Sequence, residues 1–162
     1  MSAAISPKPR VGLRKSSFVI VASQFNAGYV GGLVKHATDE LQRLAPNGKV
    51  SVYEVPGAFE IPIVVNEIAS QKKADAIIAA GVILKGQTDH AGNLSRSVTD
   101  ALQRIAVEHG IPVLNAVLSM ENEMQARERC LQHDINRGTE AARSAVEIVN
   151  VMADLRAKTI HG

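Results

Sequence analysis

The chain has 162 residues, 46% of them hydrophobic, which is enough for one globular domain with a single core. Its 18 basic and 16 acidic residues leave a net charge of +2 with no one-sided block, which argues against a nucleic-acid-binding or membrane-surface protein. Two tyrosines, three phenylalanines and no tryptophan are too few for the stacking platforms of proteins that bind single-stranded nucleic acids.

The N-terminus and the single cysteine indicate the compartment. Residues 1–16 are predicted to form a flexible arm without the apolar region of a signal peptide, ahead of one domain over residues 17–158. No apolar run approaches the ~18 residues that span a bilayer. Cys130, the only cysteine, excludes an intrachain disulfide and a multi-cysteine zinc site. We therefore expect a cytoplasmic protein with no membrane and no nucleic-acid partner.

Strands and helices alternate along the predicted domain. Residues 18–22 form an unbroken apolar run, typical of a strand that is covered on both faces. Apolar residues then recur at helical spacing from Val30 to Leu44, and Pro46-Asn47-Gly48 ends that pattern. The remaining predicted elements are a strand over residues 49–55, a helix over 60–72, a strand over 74–84, a helix that ends at Gly110, a strand over 112–118, and helices over 122–133 and 138–157.

This alternation predicts a three-layer α/β/α sandwich with a four-stranded parallel sheet. Ligands of such sheets bind at the carboxyl ends of the strands, near a switch in strand order. The segments that follow the four strands therefore share one edge, namely residues 24–27, 56–60, 85–90 and 119–122.

The first two of these segments carry candidate binding residues. Phe25 can stack on a flat ligand or fold back over the core as an ordinary buried aromatic. Residues 56–60 combine a rigid Pro-Gly turn with Glu60 at a helix start, where a carboxylate can hold a ligand or simply stabilise the helix dipole.

The third segment superficially resembles a phosphate-binding loop between Gly81 and Gly86. Gln87 stands where that motif requires lysine, and too few residues are left outside the strand for a phosphate cradle. Gly86, Gln87 and Thr88 could still donate hydrogen bonds to one phosphate group. His90 follows at the mouth of the next helix, where an imidazole could move protons near neutral pH.

Charged residues near the fourth helix allow two interpretations. Arg127, Arg129 and Arg137 either form a solvated helix face or include an arginine that binds phosphate with two hydrogen bonds. Cys130 is expected to be a small packing residue and not a nucleophile.

Five stretches of the chain match a known pattern in order and spacing: Phe25-Asn26, the run from Val55 to Pro62, the segment from Gly81 to His90, Gln125-Ala126 with Arg129, and Asn136-Arg137-Gly138. Together they resemble the lumazine synthase (6,7-dimethyl-8-ribityllumazine synthase) family from about residue 17 to residue 152. The resemblance implies a flavodoxin-like sheet and the condensation of 5-amino-6-(D-ribitylamino)uracil with 3,4-dihydroxy-2-butanone 4-phosphate, the penultimate step of riboflavin biosynthesis. It implies no cofactor and no metal.

The resemblance also assigns roles to residues. His90 and Arg129 are the expected catalytic residues, for proton transfer and for the departing phosphate. The expected substrate-binding residues are Phe25, Asn26, Ala58, Phe59, Glu60, Val82, Ile83, Leu84, Gln87, Thr88, Asn115 and Arg137. The implied partners are the two substrates, further copies of the chain in a pentamer or in an icosahedral shell of sixty subunits, and riboflavin synthase.

Four residues, at three places in the chain, depart from the family's pattern. Ala91-Gly92 replace an aromatic and an acidic residue after His90, and Arg137 replaces a lysine. Asn115 stands where a neighbouring subunit of the family supplies a phenylalanine over the ring, and its amide could instead contact a ring edge. These departures motivate an alternative, a noncatalytic flavin- or lumazine-binding or shell-forming relative. A receiver-type signalling module is a third hypothesis, which the lack of an acidic pair after the first strand disfavours.

Overall fold

The computed structural model describes residues 3–5, 7–9, 11–12, 14–86 and 89–159. Within these ranges the strands are β1 (Ser17–Ser23), β2 (Lys49–Val55), β3 (Ala76–Leu84) and β4 (Val113–Met120). The α-helices are α1 (Ala27–Leu44), α2 (Ile61–Gln71), α3 (His90–His109), α4 (Glu123–Cys130) and α5 (Arg137–Thr159), and one turn of 3-10 helix at Ala58–Glu60 precedes α2.

The four strands form one parallel sheet in the order β2-β1-β3-β4. Ile78, at the middle of β3, pairs in register with Ile20 of β1 on one side and with Leu114 of β4 on the other. Residues 76–83 of β3 are all buried, as expected for a central strand with helices on both faces. The prediction of a three-layer α/β/α sandwich with a flavodoxin-like parallel sheet is confirmed.

Two hydrophobic layers flank the sheet. On one face, alternate residues of the strands such as Ile20 and Ile78 pack against α1, α4 and α5. On the other face, the intervening residues such as Val21 and Ile77 pack against α2 and α3. The period of two along buried strands therefore divides the core between the two helical layers.

Glycine allows α1 to lie very close to its neighbours. A Cβ at Gly32 would lie 2.3 Å from the carbonyl oxygen of Cys130, and a Cβ at Gly138 would lie 2.3 Å from that of Leu33. Such contacts are with rigid backbone, so a side chain at either position requires the helices to separate.

A buried ion pair joins the same helices. Glu40 of α1 is only 3% exposed and accepts a hydrogen bond from Arg143 Nε of α5 at 2.9 Å, as well as one from Arg43. Because a buried carboxylate is costly without partners, removing Arg143 would leave an inadequately compensated charge between α1 and α5.

The structure corrects one helix end and adds detail on the arm. The fourth helix was expected to reach residue 133, but α4 ends at Cys130, and its start is capped by Asn122 Oδ1, which accepts a hydrogen bond from the Gln125 N–H at 2.9 Å. The Ala4 carbonyl oxygen in the arm accepts a hydrogen bond from Arg137 Nη1 at 2.7 Å. The division into a flexible arm over residues 1–16 and one domain over residues 17–158 stays a prediction.

Two adjacent glycines of α1 give a matched test of this packing. We expect Gly32→Ala to destabilise the fold by about 1–3 kcal/mol because the new methyl group meets the Cys130 carbonyl. A Cβ at Gly31 would meet nothing within 4 Å beyond its own helix backbone and chain neighbours. Gly31→Ala should therefore be neutral or stabilise by up to about 1 kcal/mol through helix propensity. Urea unfolding of both variants measures the difference; equal free energies of unfolding would contradict the packing role of Gly32.

Candidate active site

The carboxyl ends of β1 and β3 open into a cavity of about 430 Å³ beside the starts of α2 and α3. The residues that line it are Ser23, Phe25, Asn26, Gly57, Ala58, Phe59, Glu60, Val82, Ile83, Leu84, His90, Ala91 and Leu94. Nine of these were predicted as site residues: six come from three of the four segments that follow the strands, and Val82, Ile83 and Leu84 come from the end of β3 itself. The topology therefore brings together residues that are up to 65 positions apart, from Phe25 to His90.

The turn between β1 and α1 presents an aromatic ring to the cavity. Phe25 is 72% exposed, so the alternative in which it folds back over the core is excluded. Its backbone N–H donates to the Pro56 carbonyl oxygen at 3.2 Å, which joins this turn to the segment that follows β2. An exposed aromatic ring at the mouth of a cavity is suited to stack on a flat ligand.

The segment after β2 forms the second wall. Gly57 is extended, and its carbonyl oxygen accepts a hydrogen bond from the Glu60 N–H at 3.2 Å. Ala58 is buried under this turn, whereas the Phe59 side chain is 70% exposed. Glu60 lies immediately before α2 in a half-buried position, where its carboxylate can accept hydrogen bonds from a ligand's hydroxyl or N–H groups.

The third wall is the end of β3 with the start of α3. Val82 and Ile83 are buried, and Leu84 is half-buried. His90 is the first residue of α3 and is exposed to solvent, so protons can reach its imidazole. Gln87 and Thr88, the predicted phosphate-binding pair, lie outside the described residues.

Three predicted site residues lie away from this cavity. Arg129 is 8% exposed on α4, with Nη1 at 3.3 Å from a Glu128 carboxylate oxygen. Arg137 is 4% exposed at the start of α5, where its Nη1 also donates to Glu140 at 2.7 Å. Asn115 is exposed on β4, the strand at one edge of the sheet.

Both buried arginines carry N–H groups without partners among the described residues. These groups are the Nε of Arg129 and the Nε and Nη2 of Arg137. Arg137 also lines a separate depression of about 230 Å³ that includes Asn115 and Glu140. Unpaired guanidinium donors are costly when buried, and an oxyanion can satisfy them.

Three lining residues were missed by sequence reasoning, and a fourth, Gly57, was expected only as part of the turn at residues 56–60. Ser23 is the last residue of β1 and only 4% exposed, and Gly57, Ala91 and Leu94 complete the walls. The strand pattern could have identified Ser23, since a polar residue at the end of a buried apolar run lies where ligands bind. Ala91 and Leu94 required the rotation of α3, which the sequence pattern does not specify at the helix start.

A larger cavity, of about 760 Å³, lies elsewhere, between the arm, α1 and α5. Its lysine and arginine side chains already have carboxylate partners, as in the pair of Lys35 with Asp39 at 2.8 Å. No group of three or more His, Cys, Asp and Glu side chains among the described residues could hold a metal ion. None of the described helices is long and apolar enough to cross a membrane.

The model of one protein family, 6,7-dimethyl-8-ribityllumazine synthase, matches residues 15–153 of this chain. The chain belongs to this family. The matched range spans all four strands and every residue that lines the cavity.

Lumazine synthases from three bacteria are similar over most of the chain. The protein from Buchnera aphidicola is 36% identical over 90% of this chain and 93% of its own length. The protein from Halorhodospira halophila is 37% identical over 91% of this chain and 95% of its own length. The protein from Paraburkholderia phymatum is 40% identical over 84% of this chain and 77% of its own length. A GDP-L-fucose synthetase structure from Naegleria fowleri covers 96% of this chain and 48% of its own at 10% identity and a TM-score of 0.41, too weak a likeness to bear on function.

The reactivity of the Cys130 thiol shows whether this member of the lumazine synthase family has a nucleophile next to Arg129. Burial raises the pKa of the Cys130 thiol to about 12, against a smaller opposing effect of the Arg129 charge. Only roughly 10⁻⁴ of the thiol is therefore ionised at pH 8, and we expect iodoacetamide to label it only after unfolding. Leu131→Cys, at a position that is 41% exposed, provides a rapidly labelled control. Rapid labelling of native Cys130 would contradict its assignment as a packing residue.

Proposed function

We propose that this protein is a cytoplasmic 6,7-dimethyl-8-ribityllumazine synthase. It condenses 5-amino-6-(D-ribitylamino)uracil with 3,4-dihydroxy-2-butanone 4-phosphate and releases phosphate and water. The observation that carries the proposal is the single cavity at the carboxyl edge of the sheet, which joins Phe25, Glu60 and His90 in a chain that the family model matches over residues 15–153.

The walls of the cavity suit the pyrimidine substrate. The exposed ring of Phe25 offers a stacking face for the uracil ring. Glu60 and the turn at residues 57–59 offer polar groups for the ribityl hydroxyls, and the apolar ends of Val82 and Ile83 exclude water from the ring.

The chemistry requires little from the protein besides alignment and proton transfer. The amine of the pyrimidine substrate attacks the ketone of the second substrate, so no protein nucleophile is needed. The first C–N bond forms at the ketone carbon, whose oxygen leaves as water after protonation. Loss of a proton and elimination of phosphate then leave a carbonyl group at the neighbouring carbon, and the ribitylamino nitrogen closes the second ring there with loss of a second water. His90 is placed at the cavity to move these protons, and cationic side chains stabilise the phosphate as it departs.

The cavity of one chain has no cation to receive the phosphate among the described residues that line it. Arg129 and Arg137, by contrast, are buried on the α4 and α5 side and carry N–H groups that find no partner among the residues the structure describes. We therefore propose that copies of the chain assemble as a pentamer, with Arg129 and Asn115 of one copy completing the site that contains Phe25 and His90 of its neighbour. An icosahedral shell of such pentamers and an association with riboflavin synthase are further proposals from the family resemblance.

A steady-state assay of lumazine formation with both substrates tests the function. We expect His90→Ala to lower kcat by on the order of 10²-fold, because water can partly replace an exposed proton carrier. Arg129→Ala should lose more activity, because it removes the charge that stabilises phosphate. Arg127→Ala, at an exposed position on the same helix, and His133→Ala are the matched controls and should retain activity. Riboflavin binding by a native protein without turnover would instead support the noncatalytic alternative.

Mixing of inactive variants tests the shared site. Suppose that each site contains His90 of one copy and Arg129 of its neighbour, and that His90→Ala and Arg129→Ala chains are coexpressed. A site is then native when an Arg129→Ala chain supplies His90 and a His90→Ala chain supplies Arg129. Random placement around a ring makes about a quarter of the sites native. We expect activity to return to about that fraction, although each variant alone is impaired. Activity no higher than the mean of the two variants, or a light-scattering mass near that of one chain, would contradict a site between copies.

A further inference from the structure

The backbone of Asn26 has an unusual conformation at the cavity. Asn26 lies between β1 and α1 with φ 59° and ψ 45°, in the left-handed region, and Lys72 is the only other non-glycine residue with positive φ in the described part of the chain. Asparagine tolerates this region better than most residues, and alanine adopts it poorly. Asn26 directly follows Phe25, so its backbone angles set the direction in which the chain leaves the aromatic residue.

The side chain of Asn26 is bonded to a distant strand. Its Nδ2 donates a hydrogen bond of 2.7 Å to the carbonyl oxygen of Val82, near the end of β3. The backbone carbonyl oxygen of Asn26 accepts hydrogen bonds from the backbone N–H groups of Tyr29 and Val30, both at 3.1 Å. These two bonds form the first turn of α1. One residue therefore joins the end of β1, the first turn of α1 and the end of β3.

Phe25 depends on this junction for its orientation. Phe25 is 72% exposed as a residue, so packing within the chain contributes little to the direction of its ring. The backbone on its N-terminal side is held by the hydrogen bond from the Phe25 N–H to the Pro56 carbonyl oxygen. The backbone on its C-terminal side is held through Asn26.

We propose that Asn26 is a positioning residue that acts through Phe25. Its left-handed backbone and its hydrogen bond to Val82 hold the aromatic ring at a fixed angle over the wall formed by the end of β3. Because the amide nitrogen is already bonded to a carbonyl oxygen of the protein, Asn26 supports the ring-binding side of the site instead of contacting the phosphate or the reacting atoms. This inference rests on the proposed function and assigns a role within that same cavity.

Two substitutions separate the backbone effect from the hydrogen bond. Asn26→Gly keeps the left-handed conformation and removes the amide, whereas Asn26→Ala removes both. We expect Asn26→Ala to raise KM for the pyrimidine substrate by on the order of 10-fold, and Asn26→Gly by about 3-fold, with kcat and KM for the butanone phosphate within about twofold. Lys72→Ala also replaces a left-handed residue, but at the end of α2, and should leave both KM values unchanged.

A double-mutant cycle with Phe25→Ala distinguishes positioning from direct contact. The dissociation constant of the product, 6,7-dimethyl-8-ribityllumazine, is measured by calorimetry for the native protein, both single variants and the double variant. If Asn26 acts through Phe25, then Asn26→Gly changes this constant by less than about twofold in the Phe25→Ala background. The same fold-change in both backgrounds, or equal increases in both KM values, would overturn the proposal.

The same measurements separate this inference from the proposed function. A native protein that turns over both substrates but shows additive effects of the two positions would retain its function and refute the role of Asn26. A native protein that neither forms nor binds the lumazine would refute both. Asn26→Gly, which needs no strained backbone, keeps the cycle measurable if Asn26→Ala fails to fold.

Discussion

The parallel pairing of the four strands is the constraint on which the site depends. Because all strands run in one direction, the turn after β1, the segment after β2 and the end of β3 meet at one edge of the sheet. The central strand β3 can serve this role because it is buried on both faces along most of its length, with small residues at Ala79, Ala80 and Gly81. A Cβ at Gly81 would lie 3.2 Å from Ser23 Oγ and 3.4 Å from Val117 Cγ1, so the glycine leaves room beneath the cavity.

The charged and titratable residues of the proposed site lie in two separate parts of the chain. Glu60 and His90 are the titratable residues that line the cavity in the described part of the chain. Of the buried arginines, Arg129 lies near the end of α4 and Arg137 at the start of α5, and these two helices pack on the face of the sheet opposite α2 and α3. Under the proposed function, the stacking face of Phe25 and the phosphate-binding guanidinium of Arg129 would belong to different surfaces of the same chain, and a cyclic assembly is the simplest arrangement that would bring such unlike surfaces together.

Features of this molecule that follow from local patterns and strand order could be predicted from the sequence, whereas contacts between residues far apart in the chain could not. The apolar runs and the alternation of strands and helices predicted the fold, and the strand-end rule predicted the edge at which the cavity lies, because both follow from short-range patterns and topology. That Val82, Ile83 and Leu84 line the cavity was implied only by the family resemblance. The end of α4 at Cys130 was not predicted; at this end the helix approaches α1 so closely that a Cβ at Gly32 would lie 2.3 Å from the Cys130 carbonyl oxygen, and no local pattern encodes that tertiary approach. The hydrogen bond from Asn26 to Val82 spans 56 positions, and no local pattern encodes it. The intersubunit roles of Arg129 and Asn115 stay predictions for the same reason.

The asparagine on β4 shows how one departure from the family's pattern changes more than one property. The Oδ1 of Asn115 accepts a hydrogen bond from the Val117 N–H at 3.0 Å, and its Nδ2 donates to Thr99 Oγ1 at 3.2 Å. Since β4 lies at the edge of the sheet, this amide satisfies an outward N–H group that would otherwise be open to another strand. A phenylalanine cannot form either bond. With asparagine at this position, β4 lacks an aromatic surface, but the N–H group at its edge is hydrogen-bonded and the strand is linked to α3 through Thr99. A neighbouring ring that approached β4 would therefore meet a polar amide that is already held in place.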